Sequence, residues 1–186
     1  MSFNSDGLLD IDEVLRIAEL SINPEMGMDM FMVVESGGAP VEGESTRAFG
    51  DGKPHMDIQG YFMFALQVQQ GSDKKYKASL APLVVVRQSD AATASLYSLL
   101  NNGKLDVKAT VQVYRAGGNA KSTQAEPVIE IIASDARIYC ISSYTSTRLK
   151  QPCDIVVFAH RKLEIKTAPQ QASGLRGAVR TCAMTS

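Results

Sequence analysis

The chain has 186 residues, 19 Lys and Arg against 20 Asp and Glu, a formal net charge of −1, 6% aromatic residues and no tryptophan. That length suits one domain with a core of its own, because a fold of roughly 150 residues buries about two-thirds of the surface its unfolded chain exposes. The balance of charge excludes the basic footprint of a nucleic-acid binder, the shortage of aromatics excludes its stacking platforms, and no apolar run approaches the ~18 residues of a membrane span.

The N-terminus has no basic segment followed by an apolar one, so no signal peptide is expected and the chain should be cytoplasmic when made. Residues 8 to 22 pattern as an amphipathic helix, with Leu8, Leu9, Ile11, Val14, Leu15, Ala18 and Ile22 largely on one side, ending before Pro24. It precedes a β-rich body and forms an appended element, residues 1–27. Asp29 to Glu35 is a strand, with Met30, Met32 and Val34 opposed to Phe31 and Val33. Ser36 to Pro54 is a loop too long for a simple hairpin, which marks it as a contact surface. His55 to Gln69 and Tyr76 to Arg87 are strands joined near Gly71-Ser72-Asp73, with Lys74 and Lys75 at the tip.

Ser89-Asp90 then offers oxygens to the unpaired N–H groups of a first helical turn, which predicts a helix over residues 90–102. Ala92, Leu96, Leu99 and Leu100 share its apolar face, and Asn102-Gly103 ends it. Leu105 to Val113 alternates apolar with polar residues as a strand does. A polar loop through Glu126 leads to an apolar run from Pro127 to Cys140, interrupted at Ser134-Asp135 by a bulge or turn. The last strand spans Asp154 to Lys166, with Ile155, Val157, Ala159, Leu163 and Ile165 expected inward. From Ala168 the composition turns to Pro, Gln, Ala, Ser and Gly, so residues 169–186 are expected to form a flexible tail beyond a barrel domain of residues 28–168.

Catalytic chemistry finds little to work with. Only His55 and His160 could serve as bases, and nothing pairs either with Cys140 or Cys153 in the way a nucleophile requires. His160 shares the side of its strand with Lys162 and Lys166, as a solvated or interface histidine would. Gly50-Asp51-Gly52-Lys53-Pro54 fails as a phosphate loop, since Arg47 stands where the first glycine belongs and Pro54 replaces the magnesium-binding Ser or Thr. Asp10, Asp12 and Glu13 suit a helix start better than a calcium loop. Cys140, Cys153 and Cys182 are odd in number and far apart, giving neither a disulfide framework nor a zinc site. No catalytic, cofactor-binding or metal-binding residues are expected, and the chain is not expected to be an enzyme.

The order of motifs resembles the tube protein of the type VI secretion system, the haemolysin-coregulated protein or Hcp family. The resemblance is carried by Asp29-Met30-Phe31-Met32, Gly43-Glu44-Ser45, His55-Met56-Asp57-Ile58, the strand–helix–strand unit of residues 78–118 ending in Arg115-Ala116-Gly117-Gly118, Asp154-Ile155-Val156-Val157-Phe158-Ala159, and Pro169-Gln170. It covers residues 28–170. Three features depart from the family: Tyr61-Phe62-Met63-Phe64 replaces its tryptophan-rich second strand, the connection from Gln69 to Lys77 is short, and residues 1–27 have no counterpart.

The resemblance implies a mainly β fold, a barrel of two antiparallel sheets flanked by one helix, here with an N-terminal helical extension. It further implies a bacterial structural protein that forms homo-hexameric, stacked rings, driven out by a contractile sheath and its spike, carrying effector cargo in the lumen, and secreted without membrane insertion. On that basis the polar strand-end residues Glu44, Ser45, Thr46, Arg47, Lys74 and Lys75 are candidate ring–ring contacts, and Leu9, Val14, Leu15 and Ile22 a candidate docking face for the extension. A phage tail-tube-like protein and a ligand-binding β-barrel are the alternatives.

Overall fold

Runs of β-branched residues in alternation form the strands, and their order closes a barrel. The computed structural model describes residues 10, 12, 13, 16, 28–47, 49–70, 75–115, 126–169 and 177–186. The strands are β1 (Met28–Ser36), β2 (Ala39–Pro40), β3 (Met56–Phe62), β4 (Ala65–Gln70), β5 (Lys75–Leu80), β6 (Leu83–Gln88), β7 (Val107–Arg115), β8 (Ile129–Ser146), β9 (Gln151–Thr167) and β10 (Arg180–Thr185), with helix α1 (Ala92–Asn101) between β6 and β7. Antiparallel pairing runs β9-β6-β3-β1-β7-β8, and β8 pairs again with β9, so six strands close on themselves. The hairpin β4–β5 stands apart as a second, two-stranded sheet. The mainly β barrel with one helix is therefore as the sequence leads one to expect.

The helix expected over residues 8–22, with its docking face Leu9, Val14, Leu15 and Ile22, lies outside the described residues apart from Asp10, Asp12, Glu13 and Arg16. Of these, Asp12, Glu13 and Arg16 are helical, and Arg16 Nη2 lies 2.8 Å from Glu13 Oε1. Lys74 and the turn at Gly117-Gly118 also lie outside the described residues.

Side chains fill the barrel, as they do in small barrels generally. Met30, Met32 and Val34 of β1 face inward opposite Val113, Val111 and Ala109 of β7, and Met56, Leu83 and Phe158 join them with no exposed surface. α1 packs on β8 and adds Ala92 and Leu96 to this core, with Leu99 and Leu100 half-buried beside it. Asp90 Oδ1 accepts the Ala92 N–H at 2.7 Å, so the helix begins two residues later than the sequence suggests but uses the acceptor it names. Gly103, at φ +57°, ends it by donating to the Leu100 carbonyl at 3.1 Å.

Three expectations need correction. The stretches His55 to Gln69 and Tyr76 to Arg87 are each two strands, broken at Met63-Phe64 and Ala81-Pro82, because Pro82 cannot donate to a ladder and the chain leaves the barrel wall there as a hairpin. In β9 Leu163 and the half-buried Ile165 turn inward as expected, but the other inward residues are Val156 and Phe158, whereas Ile155 and Val157 join Val84 and Val86 in a second, outer apolar cluster under Phe62, Phe64, Tyr144 and Leu149. Four consecutive apolar residues cannot reveal by alternation which face is inner. Finally, Arg180–Thr185 of the expected flexible tail forms β10, pairing with Lys162–Thr167 of β9 beyond the point where β6 ends. A long strand left with open N–H and C=O groups on one edge offers that stretch a ready ladder.

The bulge expected at Ser134-Asp135 is present. The β7–β8 register shifts between Val107 and Ala109, and Asp135 adopts φ +49°.

Candidate assembly surfaces

One end of the barrel is organised by a buried ion pair. Arg87 of β6 and Asp154 of β9 sit opposite one another in the ladder with no exposure, Nη1 to Oδ2 being 2.9 Å. Asp154 also accepts from Ser89 Oγ (2.8 Å), Thr93 Oγ1 (2.6 Å) and Ser143 Oγ (2.7 Å), while Arg87 pairs with Asp90. A buried carboxylate survives only when its lone pairs are met, and here β6, the turn after it, α1 and β8 supply the donors. The network fixes the first turn of α1 against the barrel, and Tyr97 OH extends it to Ser143 at 3.2 Å. Sequence reasoning missed this pair. The available signal was a charged residue inside each of two apolar strands, Leu83–Gln88 and Asp154–Ala159.

The loop from Val41 to His55 crosses the outer face of β1 and β7. Ser45 N–H donates to the His55 carbonyl at 3.0 Å, and Glu44 N–H to Asp90 Oδ2 at 3.4 Å, which places Glu44 and Ser45 beside the helix end of the barrel. Thr46 is exposed. Arg47 folds back on the wall, its guanidinium 4.4 Å from the Tyr114 ring centroid, 5.2 Å from Phe31 and 5.3 Å from Phe49, and bridged to Asp29 at 3.4 Å. Phe49 stacks on His55 with centroids 3.5 Å apart, and His55 meets Gln112 Oε1 at 3.1 Å. Gly43 permits the crossing, since a Cβ there would lie 2.3 Å from the His55 carbonyl oxygen. Gly52 makes the turn expected at residues 50–54 with φ +64°.

The hairpin β4–β5 leaves the opposite end. β3 runs from the loop at Met56 to the hairpin base at Phe62, so the two candidate contact regions lie at the two ends of that strand and are not brought together. Ala81 N–H to the Phe64 carbonyl, 3.0 Å, closes the base. Leu66 and Val68 share one side of β4 and are 49% and 47% exposed, an apolar stripe on a two-stranded sheet that is marginal by itself in water. Lys75 heads β5 opposite Gln70.

Remaining titratable groups look structural. Burial pushes the His160 imidazole below its ordinary value, partly offset by the Ala81 backbone, so His160 is half-buried rather than solvated. Cys140, Cys153 and Cys182 are free thiols, and burial raises the first two above the reactive range. Glu35 is held below the usual carboxylate range by Lys53, 2.8 Å away, with Lys108 assisting. Among the described residues no three His, Cys, Asp or Glu side chains are grouped to hold a metal.

The barrel is thus a closed sheet of six antiparallel strands with a helix at one end and the β4–β5 hairpin at the other. The chain resembles the solved structure of a type six secretion system protein at 17% identity and TM-score 0.69, covering 85% of this chain and 95% of that one. It resembles Hcp1 from Salmonella typhimurium at 15% identity and TM-score 0.65, with 86% and 95% covered. A type VI secretion system effector from Yersinia pestis aligns at 17% identity and TM-score 0.60, with 83% and 99% covered. Identities this low speak to the fold alone, and none of the curated proteins matches the sequence. The sequence itself, over residues 31–166, matches the family model described as type VI secretion system effector, Hcp, and the chain belongs to that family.

Proposed function

We propose that the chain is a structural subunit of the type VI inner tube, assembling into hexameric rings that stack and are propelled by the sheath behind a spike, with effectors carried in the lumen. The observation that carries this reading is the family match, which spans the barrel from β1 to β9. The physical features agree with mechanical work. The interior is filled by Met32, Met56, Leu83 and Phe158, which disfavours a ligand-binding barrel. Distinct structures stand at the two ends, and a stack in which one end meets the other needs two different patches on each subunit.

Within this reading the Glu44–Thr46 turn at one end and the β4–β5 hairpin with Lys74 and Lys75 at the other carry ring–ring contacts, while Arg47 holds its loop to the wall. The subunit is made and assembled in the cytoplasm and leaves through the apparatus. No helix among the described residues is long and apolar enough to cross a membrane.

The test is secretion. The protein should reach the culture medium of cells with an intact sheath and be absent from the medium of sheath-deleted cells. Charge reversal at Glu44, Lys74 and Lys75 should abolish stacking and secretion while leaving single rings. Secretion without the sheath would contradict the tube role, and stacking unaffected by the reversals would contradict the assigned contacts.

A further inference from the structure

The barrel is split along one seam. β1 and β3 pair only at Phe31–Asp57 and Met32–Met56, and a bulge between Ile58 and Gly60 then bends β3 away towards β6. An open cleft of about 730 Å³ results, lined by Met28–Phe31, Asp57–Gln59 and Ser45–Arg47. Val34 accepts from Val41 N–H on this side of β1, and backbone groups alternate along a strand, so Met32, Met30 and Met28 also turn theirs towards the seam. Met32 is answered by Met56, but among the described residues no strand pairs with Met28 or Met30 on that edge.

Among the described residues β10 pairs only with β9, which leaves its other edge without a ladder partner. Ser186 N–H bonds to the Arg161 carbonyl, so alternation turns Arg180, Cys182 and Met184 to β9 and leaves Thr181, Ala183 and Thr185 facing outward. β10 lacks the proline and lysine that commonly protect an edge, its one charged residue is Arg180 at its start, and only Met184 is half-buried.

We propose that the outer edge of β10 of one copy of this chain adds to the open edge of β1 in the next copy, so that neighbouring subunits of a ring share a continuous ladder. The contact is heterologous, joining two different edges, and contacts of that kind close into rings. Both edges would be satisfied at once. The charges agree, since Asp29 and Asp57 line the seam and Arg180 heads β10. The faces agree when the two strands run parallel: Met30 and Met184 both pack on the inner core, which puts Met28 and Cys182 on that same face of their strands, and the slanted bonds of a parallel pair then join Met28 and Met30 to the outward groups of Thr181, Ala183 and Thr185.

This pairing rests on the ring reading above, and hydrogen exchange separates the two. Amides of Met28, Met30, Thr181, Ala183 and Thr185 should exchange at least tenfold more slowly in rings than in subunits dispersed by dilution. Oxidised rings of Met28→Cys should also yield a ladder of covalent multimers through native Cys182, lost in Met28→Cys with Cys182→Ser. Rings that show neither protection nor crosslinking would overturn the shared ladder and leave the ring standing. A protein that stays monomeric at high concentration would overturn both.

Discussion

Asp154 shows how much one side chain can be asked to hold. It accepts from Arg87, Ser89, Thr93 and Ser143, so removing it leaves a buried guanidinium with Asp90 as its remaining carboxylate partner and loosens the first turn of α1 together. Asp154→Ala should lower stability by about 3–5 kcal/mol, the usual cost of breaking a buried pair from one side, measured as the urea midpoint at constant slope. His160 acts in the opposite sense, since burial disfavours its charged form. The unfolded chain then binds a proton that the folded chain resists, so stability is whole above the ordinary value of 6.5 and falls as pH drops through the window below it. His160→Gln should flatten the decline in melting temperature between pH 7.5 and 5. An unchanged decline would mean that other groups dominate. Gly43→Ala should destabilise by about 1–3 kcal/mol through its clash with the His55 carbonyl, and should free the loop to faster hydrogen exchange.

At the scale of elements, α1 was the most legible part of the sequence. Its acceptor, its apolar face and its glycine stop all act locally, within a few residues of one another. Leu96→Ala should therefore cost about 2–5 kcal/mol and Leu99→Ala less, because Leu96 is fully buried and Leu99 only half. β9 was legible as a strand but not in its orientation, since Ile155–Phe158 is apolar on both faces and only the tertiary fold decides which face turns inward. β10 was not legible at all. Its residues form a strand because β9 outruns β6, a consequence of two strand lengths set elsewhere in the chain. Deleting residues 179–186 should leave the barrel folded, at a cost of about 1 kcal/mol for the half-buried Met184, because the rest of the strand is exposed. The aromatic cluster around Arg47 escaped for a similar reason: Phe31, Phe49 and Tyr114 lie far apart in sequence and meet only where the loop crosses β1 and β7.

At the scale of the molecule, the described residues leave three kinds of unsatisfied surface: the seam beside β1, the outer edge of β10, and the apolar stripe of the β4–β5 hairpin. A monomer would carry all three as liabilities, whereas in the proposed stack of rings the first two would meet within a plane and the third between planes. Family membership and this distribution of edges support the same reading, one through sequence and the other through strand pairing. The most direct test is the particle itself, by native mass spectrometry of the purified protein with negative-stain images of the same sample. Six copies of the 20.1 kDa chain in a ring with an open centre are predicted; a strict monomer at high concentration would contradict the tube subunit.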